Sequence, residues 1–227
     1  MKVGKATAIL SPELRARQAT PGTSIPDERQ LREAIGSIPE EIDWEWARPR
    51  IVPLFERGGA EGTVGDPMIN VVTPLGVGIG FGIELGVMFA RVTKSMGERW
   101  EASVEQIERV AFDNLRDAVA LVDRRDLQRA VFNGHVLHAL PDPPGWASSV
   151  ILAGEAEITR IFGDHDQVFT TPTRSALLSF DARTPKRAIV DVTLALEEMD
   201  DHPLLIDPFV LEGGSLAWSG LFEDEAQ

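Results

Sequence analysis

The sequence has no cysteine. That excludes disulfides, thiolate metal sites and a cysteine nucleophile together, and it fits a reducing, cytoplasmic setting. Positive charge is in deficit. Lysine and arginine number 22 against 36 acidic residues, for a net charge of −14. A field of that sign repels nucleic-acid backbones and anionic lipid surfaces. The densest basic run, Arg124-Arg125 with Arg129, is interleaved with Asp123 and Asp126, so no nucleic-acid partner is expected. Long apolar runs are missing too. The opening MKVGKATAIL lacks the roughly 7–15 residue apolar stretch of a signal peptide. Residues 67–83 carry no ionisable side chain, but they are interrupted by Pro74 and four glycines. A buried strand pair accounts for them better than a membrane span.

Proline is absent from residues 75–140, whereas eight of the 15 prolines fall in residues 1–74. Proline removes an amide donor and restricts its predecessor, so its density argues against long regular elements. Residues 1–65 therefore read as an irregular N-terminal arm, with a short helix over 27–38 and a loop over 57–66. Residues 66–227 read as an α+β domain, with a mostly antiparallel or mixed sheet and about three packed helices.

What is present begins with alternation. Gly76, Gly78, Gly80 and Gly82 alternate with Val77, Ile79, Phe81 and Ile83, so a strand over 76–91 has one apolar face and one bare face. Ser103 and Gln106 make a capping-box pattern. Val104, Ile107, Ala111, Leu115, Ala118 and Val122 continue it as the stripe of a helix over 103–122. A strand over 131–140, a helix over 147–162, strands over 167–171 and 175–180, and a helix opening at Thr184-Pro185 follow. Gly213-Gly214 signals a closing hairpin.

A family resemblance rests on Trp100, Ser103, Ala111, Asn114 and Leu115, and on Ala147-Ser148, Pro172-Thr173-Arg174 and Leu177-Leu178. In these positions the stretch from about residue 85 to 212 resembles the YtpQ-like bacterial family. That family is of unknown function, so the resemblance implies an architecture and no chemistry.

The candidate sites are few. The glycine alternation fails the dinucleotide fingerprint, because Phe81, Ile83 or Leu85 falls where the last glycine must stand. Its bare face instead admits a helix, another strand or a ligand at close range. His135 and His138 point oppositely on a strand and cannot share a metal ion. Asp164-His165-Asp166 reads as a polar turn. Thr170 to Arg174 is the most site-like loop, since its guanidinium can clamp a carboxylate or phosphate. Trp44 and Trp46 alternate on an extended segment and anchor the arm to the domain or to a partner. Gly78, Gly80, Gly82, Thr171, Arg174, Trp44 and Trp46 are thus the candidate binding residues. No catalytic residue, metal ligand or cofactor is assigned. The leading expectation is a non-catalytic protein-interaction or structural module, contacting a protein partner or a second copy of itself as a homo-oligomer. The alternative is a small-ligand-binding or hydrolase-like protein that uses the glycine face of residues 76–82 and the loop of residues 170–174.

Overall fold

In a computed structural model the described residues are 38–56, 66–72, 78–85, 89–132, 134–141, 146–199 and 207–219, with single positions at 29, 32, 35, 36 and 204. Residues 57–65 of the expected loop over 57–66, and Gly76, lie outside them. Of the expected helix over 27–38, the described positions 29, 32, 35 and 36 are helical, and Ile38 lies in a bend beyond it.

One helix organises the molecule. Ser103 accepts a hydrogen bond from the Gln106 amide at 3.2 Å, closing the N-terminus of α3 (Val104–Ala120). Short helices α1 (Trp44–Ala47) and α2 (Lys94–Arg99) precede it. Its buried stripe is Ile107, Ala111, Leu115 and Val119, a four-residue repeat along one face. Val104, placed in the stripe from sequence, is 39% exposed.

The two halves of that stripe face different sheets. Ile107 and Ala111 pack on a four-stranded antiparallel sheet of β1 (Ile51–Phe55), β2 (Asn70–Val72), β3 (Gly78–Glu84) and β4 (Phe89–Arg91). Strand β3 is central: β1 runs along one edge, and β2 and β4 share the other. Ile79, Phe81 and Ile83 are buried, as the alternation requires. The expected strand over 76–91 is therefore a hairpin, β3 turning into β4.

Leu115 and Val119 pack on a second sheet, in a core with Phe55, Phe169, Leu177, Phe209 and Leu211. Its strands are β5 (Gln128–Phe132), β6 (His135–Pro141), β7 (Gln167–Thr170), β8 (Ala176–Asp181), β9 (Phe209–Glu212) and β10 (Ser215–Trp218). They run antiparallel in the order β10-β9-β7-β8-β6-β5. On this face also lie a 3₁₀ segment, Ala147–Ala153, and α4 (Glu155–Phe162). The opposite face is covered by α5 (Lys186–Glu197), through Ile189 and Val192 against Ala130, Leu137, Val168, Leu178 and Phe180. Each fully buried side chain of this size contributes roughly 1.5–3 kcal/mol before entropy is counted.

Three elements differ from the sequence reading. Ile51–Phe55, inside the stretch read as an irregular arm, is a fully buried strand. Its Pro53 is tolerated because, among the described residues, β1 has a hydrogen-bonded neighbour strand on one side only. The helix expected over 147–162 breaks at Gly154, whose φ of 102° no side-chain-bearing residue adopts comfortably. The strand expected over 131–140 is the β5–β6 hairpin, turning at Gly134.

Candidate functional site

Strand β1 carries its alternation one residue past its end. Val52 and Leu54 stand opposite Gly82 and Gly80, so they share the glycine face, and Glu56 follows them two residues on. The Glu56 amide donates to the Gly78 carbonyl at 3.0 Å. Its side chain is buried, at 5% residue exposure. A buried carboxylate needs compensation, and two arginines supply it. Glu56 Oε2 lies 3.4 Å from Arg91 Nη2 and 3.2 Å from Arg174 Nη2.

The two arginines arrive from different sheets. Arg91 stands on β4 opposite Gly82, and its Nη1 also donates to Met68 Sδ at 2.9 Å. Arg174 comes from the turn between β7 and β8, and its carbonyl accepts from the Ser148 amide at 3.1 Å. Glu56 is therefore the junction where the glycine sheet meets the six-stranded sheet.

Around this junction the polar groups are incompletely used. Among the described residues, Arg174 Nε, Ser148 Oγ, Ser149 Oγ and Thr171 Oγ1 are buried and without a hydrogen-bond partner. Thr170 Oγ1 is in the same condition. Thr170 keeps the parity of Val168, however, which places it on the α5 side of the sheet. Thr173 Oγ1 is 3.2 Å from Ser175 Oγ. Two guanidiniums against one carboxylate leave the junction one positive charge in excess. Neither serine hydroxyl touches a base, so the arrangement suits binding rather than nucleophilic attack.

The sequence candidates divide accordingly. Gly78 and Arg174 meet Glu56 at the junction, and Thr171 is buried three residues before Arg174. Gly82 does not open to a ligand: a Cβ there would sit 2.5 Å from Leu54 Cδ1 and 3.2 Å from Phe89 Cδ1. The chain's own side chains occupy the bare face at that point. Gly80, between Leu54 and Asn70, is buried. Trp44 and Trp46 lie in a helical turn, not on an extended segment, because Asp43 Oδ1 caps it by accepting from the Trp46 amide at 2.7 Å. Trp44 packs on Trp100 at 5.7 Å between ring centroids. The Arg50 guanidinium sits 4.5 Å from the Trp46 ring centroid. Both rings are half-buried and pack in the core beneath the glycine sheet.

His135 and His138 lie on β6 with opposite parity, and both are half-buried. Asp164, His165 and Asp166 are exposed, and Asp166 Oδ1 accepts from the Gly213 amide at 3.2 Å. Among the described residues no three His, Asp or Glu side chains gather as metal ligands do. No helix among them is long and apolar enough to cross a membrane. Asn114 is structural: its Nδ2 donates to the carbonyls of Arg48 and Ile51, both at 2.8 Å, pinning α3 to β1.

Sequence reasoning missed Glu56, Arg91 and the Ser148-Ser149 pair. The one available signal was Glu56, a charge directly following five apolar residues, in phase with Val52 and Leu54. Comparison with family models, with curated proteins and with solved structures yields no match.

Proposed function

We propose that this protein is a non-catalytic binder of a small carboxylate-bearing molecule, seated at the Glu56–Arg174 junction. The observation that carries the reading is the set of buried groups, without a partner among the described residues, on the segments that meet there: Arg174 Nε and the hydroxyls of Ser148, Ser149 and Thr171. Leaving such a group unpaired costs about 1–3 kcal/mol each, which a ligand with matching acceptors and donors recovers. The excess of one positive charge calls for a monoanion, and a carboxylate accepts from a guanidinium in the plane that Arg174 offers. Docking of a protein partner or second copy on the glycine strand is disfavoured by Leu54 and Phe89, which fill it at Gly82. Kinship with the YtpQ-like family, proposed on sequence, brings no ligand chemistry of its own.

The test is a thermal-shift panel of small monocarboxylates, hydroxy acids and amino acids. Ligand at 100 times its Kd stabilises by about 2.7 kcal/mol, which moves Tm by roughly 5–10 °C in a chain of this length. Arg174→Gln should abolish the shift without preventing folding. A panel in which no member moves Tm would overturn the reading.

A further inference from the structure

A second cluster of cationic side chains sits at the other end of β7 and β8. Strand alternation places Arg129 and His138 directly opposite each other on β5 and β6. They share the sheet face of Phe169, Leu177 and Phe209, but they stand towards its β5 edge. Ser179 on β8 is the next residue in that row. Above the row are two loops. A Cβ added to Gly163 would lie 3.1 Å from His165 Nδ1 and 3.5 Å from Arg124 Nη2, so imidazole and guanidinium close over the same glycine. Gln167, itself buried, holds that turn: its Nε2 donates to the carbonyls of Gly163 and His165, at 3.1 and 3.2 Å. Its Oε1 accepts from Ser179 Oγ. The turn is thus tied to the strand row that carries His138.

The neighbouring carboxylates keep their charge, but among the described residues none pairs with His138, Arg124 or Arg129. Asp123 pairs with Arg125, at 2.8 Å. Asp126 accepts from the Asp123 amide. Asp181 accepts from the Arg183 amide, Asp166 accepts from the Gly213 amide, and Asp164 is exposed. Arg160, from α4, is spent on the carbonyls of Val119 and Val122 and on Glu157. After burial, the neighbours that push the His138 pKa down are Arg129, Arg124 and His165. Burial and these three neighbours hold its imidazole below the ordinary histidine range.

We infer that Arg124, Arg129, His138 and His165 form an anion site for a tetrahedral dianion of the phosphate type, separate from the Glu56 junction. Two guanidiniums supply two permanent charges, the His165 ring adds a nitrogen donor, and the His138 imidazole adds one that strengthens as it protonates. That complement matches a dianion rather than the monoanion suited to Arg174. A bound dianion reverses the local field on His138, so its pKa rises and binding takes up a proton. In the ligand-free protein the sign is opposite. Folding depresses the His138 pKa, so the stability it allows is complete above the unfolded value of about 6.5 and declines as pH falls through the window down to the folded pKa.

Sulfate is the first probe, because its charge is fixed across this pH range. Imidazole resonances of the full chain are followed from pH 5 to 8 in sulfate and in chloride of equal ionic strength. The expected result is a raised His138 pKa in sulfate, several-fold tighter sulfate binding at pH 5.5 than at 7.5, and a flatter loss of Tm on acidification. Arg129→Gln and Arg124→Gln should each weaken sulfate binding at least about tenfold, a loss of 1.4 kcal/mol, and raise the ligand-free His138 pKa. His138→Asn should keep binding at pH 7.5 and lose its pH dependence. Inorganic phosphate and glycerol phosphate, compared at pH 7.5, separate the free ion from a phosphate ester by which binds more tightly. A His138 titration identical in sulfate and chloride overturns the site, as does sulfate affinity unchanged in Arg129→Gln with its fold intact.

Discussion

The two sheets solve the same problem with opposite means. Each must cover two faces. The six-stranded sheet does so with helices, α5 on one face and α3, α4 and the 3₁₀ segment on part of the other. The four-stranded sheet has α3 on one face, and on the other its central strand shows only glycines until its last residue, Glu84. Leu54 from β1 and Phe89 from β4 reach in over Gly82 instead. A sheet built that way can be thin, and its end can carry a charge: Glu56 emerges from the closed face and is met by arginines of both sheets. The difference teaches that the glycines serve closeness within the chain first, and that the polar junction follows from it.

The largest expected effect tests whether the two sheets are energetically one body. Leu115 packs with the six-stranded sheet and Ile107 with the glycine sheet, on one helix. Leu115→Ala and Ile107→Ala should each cost about 2–5 kcal/mol. Trp44, Trp46 and Trp100 report on the glycine-sheet side, and Trp146 and Trp218 on the other. Both substitutions should lower a single urea transition, coincident in fluorescence and circular dichroism. Two separated transitions in Ile107→Ala would show that α3 does not couple the sheets.

A smaller effect is expected at the junction. Glu56→Gln removes the charge that Arg91 and Arg174 share, leaving a neutral amide. Breaking a fully buried pair costs about 3–5 kcal/mol. Here Arg91 and Arg174 keep 45% and 29% of their side-chain surface, so solvent screening reduces the loss to roughly 1–3 kcal/mol. A double-mutant cycle with Arg174→Gln should return a coupling of about 0.5–2 kcal/mol. A coupling of zero would mean that the sheets meet through apolar contact alone.

Much of this architecture can be read from residue order. The Ser103 cap, the alternation through Ile83 and the Gly213-Gly214 turn each act within a few residues, and each appears as expected. The proline argument failed at β1 because it weighs density, whereas tolerance depends on which edge of a strand is paired, a tertiary fact. Gly154 was invisible as a helix break because a glycine between two helix-compatible stretches reads equally as a packing residue. Arg174 and Thr171 were legible as polar groups on a turn. The meeting of Arg174 with Glu56 was not, since 118 positions separate the two and no local pattern encodes that distance.

The finest distinction lies within the bare strand itself. All three described glycines of β3 look alike in sequence, yet their surroundings differ. A Cβ at Gly82 collides with Leu54 Cδ1 and crowds Phe89 Cδ1, and Leu54 is 2% exposed, with little room to turn. Gly82→Ala should therefore destabilise by about 1–2 kcal/mol, as overpacking of a filled site does. At Gly78 the nearest atom, the Glu56 carbonyl oxygen, is 3.7 Å away, an ordinary contact. There alanine restricts the unfolded chain more than it strains the folded one, so Gly78→Ala should stabilise by about 0.4–1 kcal/mol. Urea midpoints of the two variants read the comparison directly. Opposite signs mean that the glycine face is closed at its Leu54 end and loosens towards the junction, where a ligand has room. Equal losses would mean that the chain seals the whole face, and the junction would then have to be reached from the Arg174 side alone.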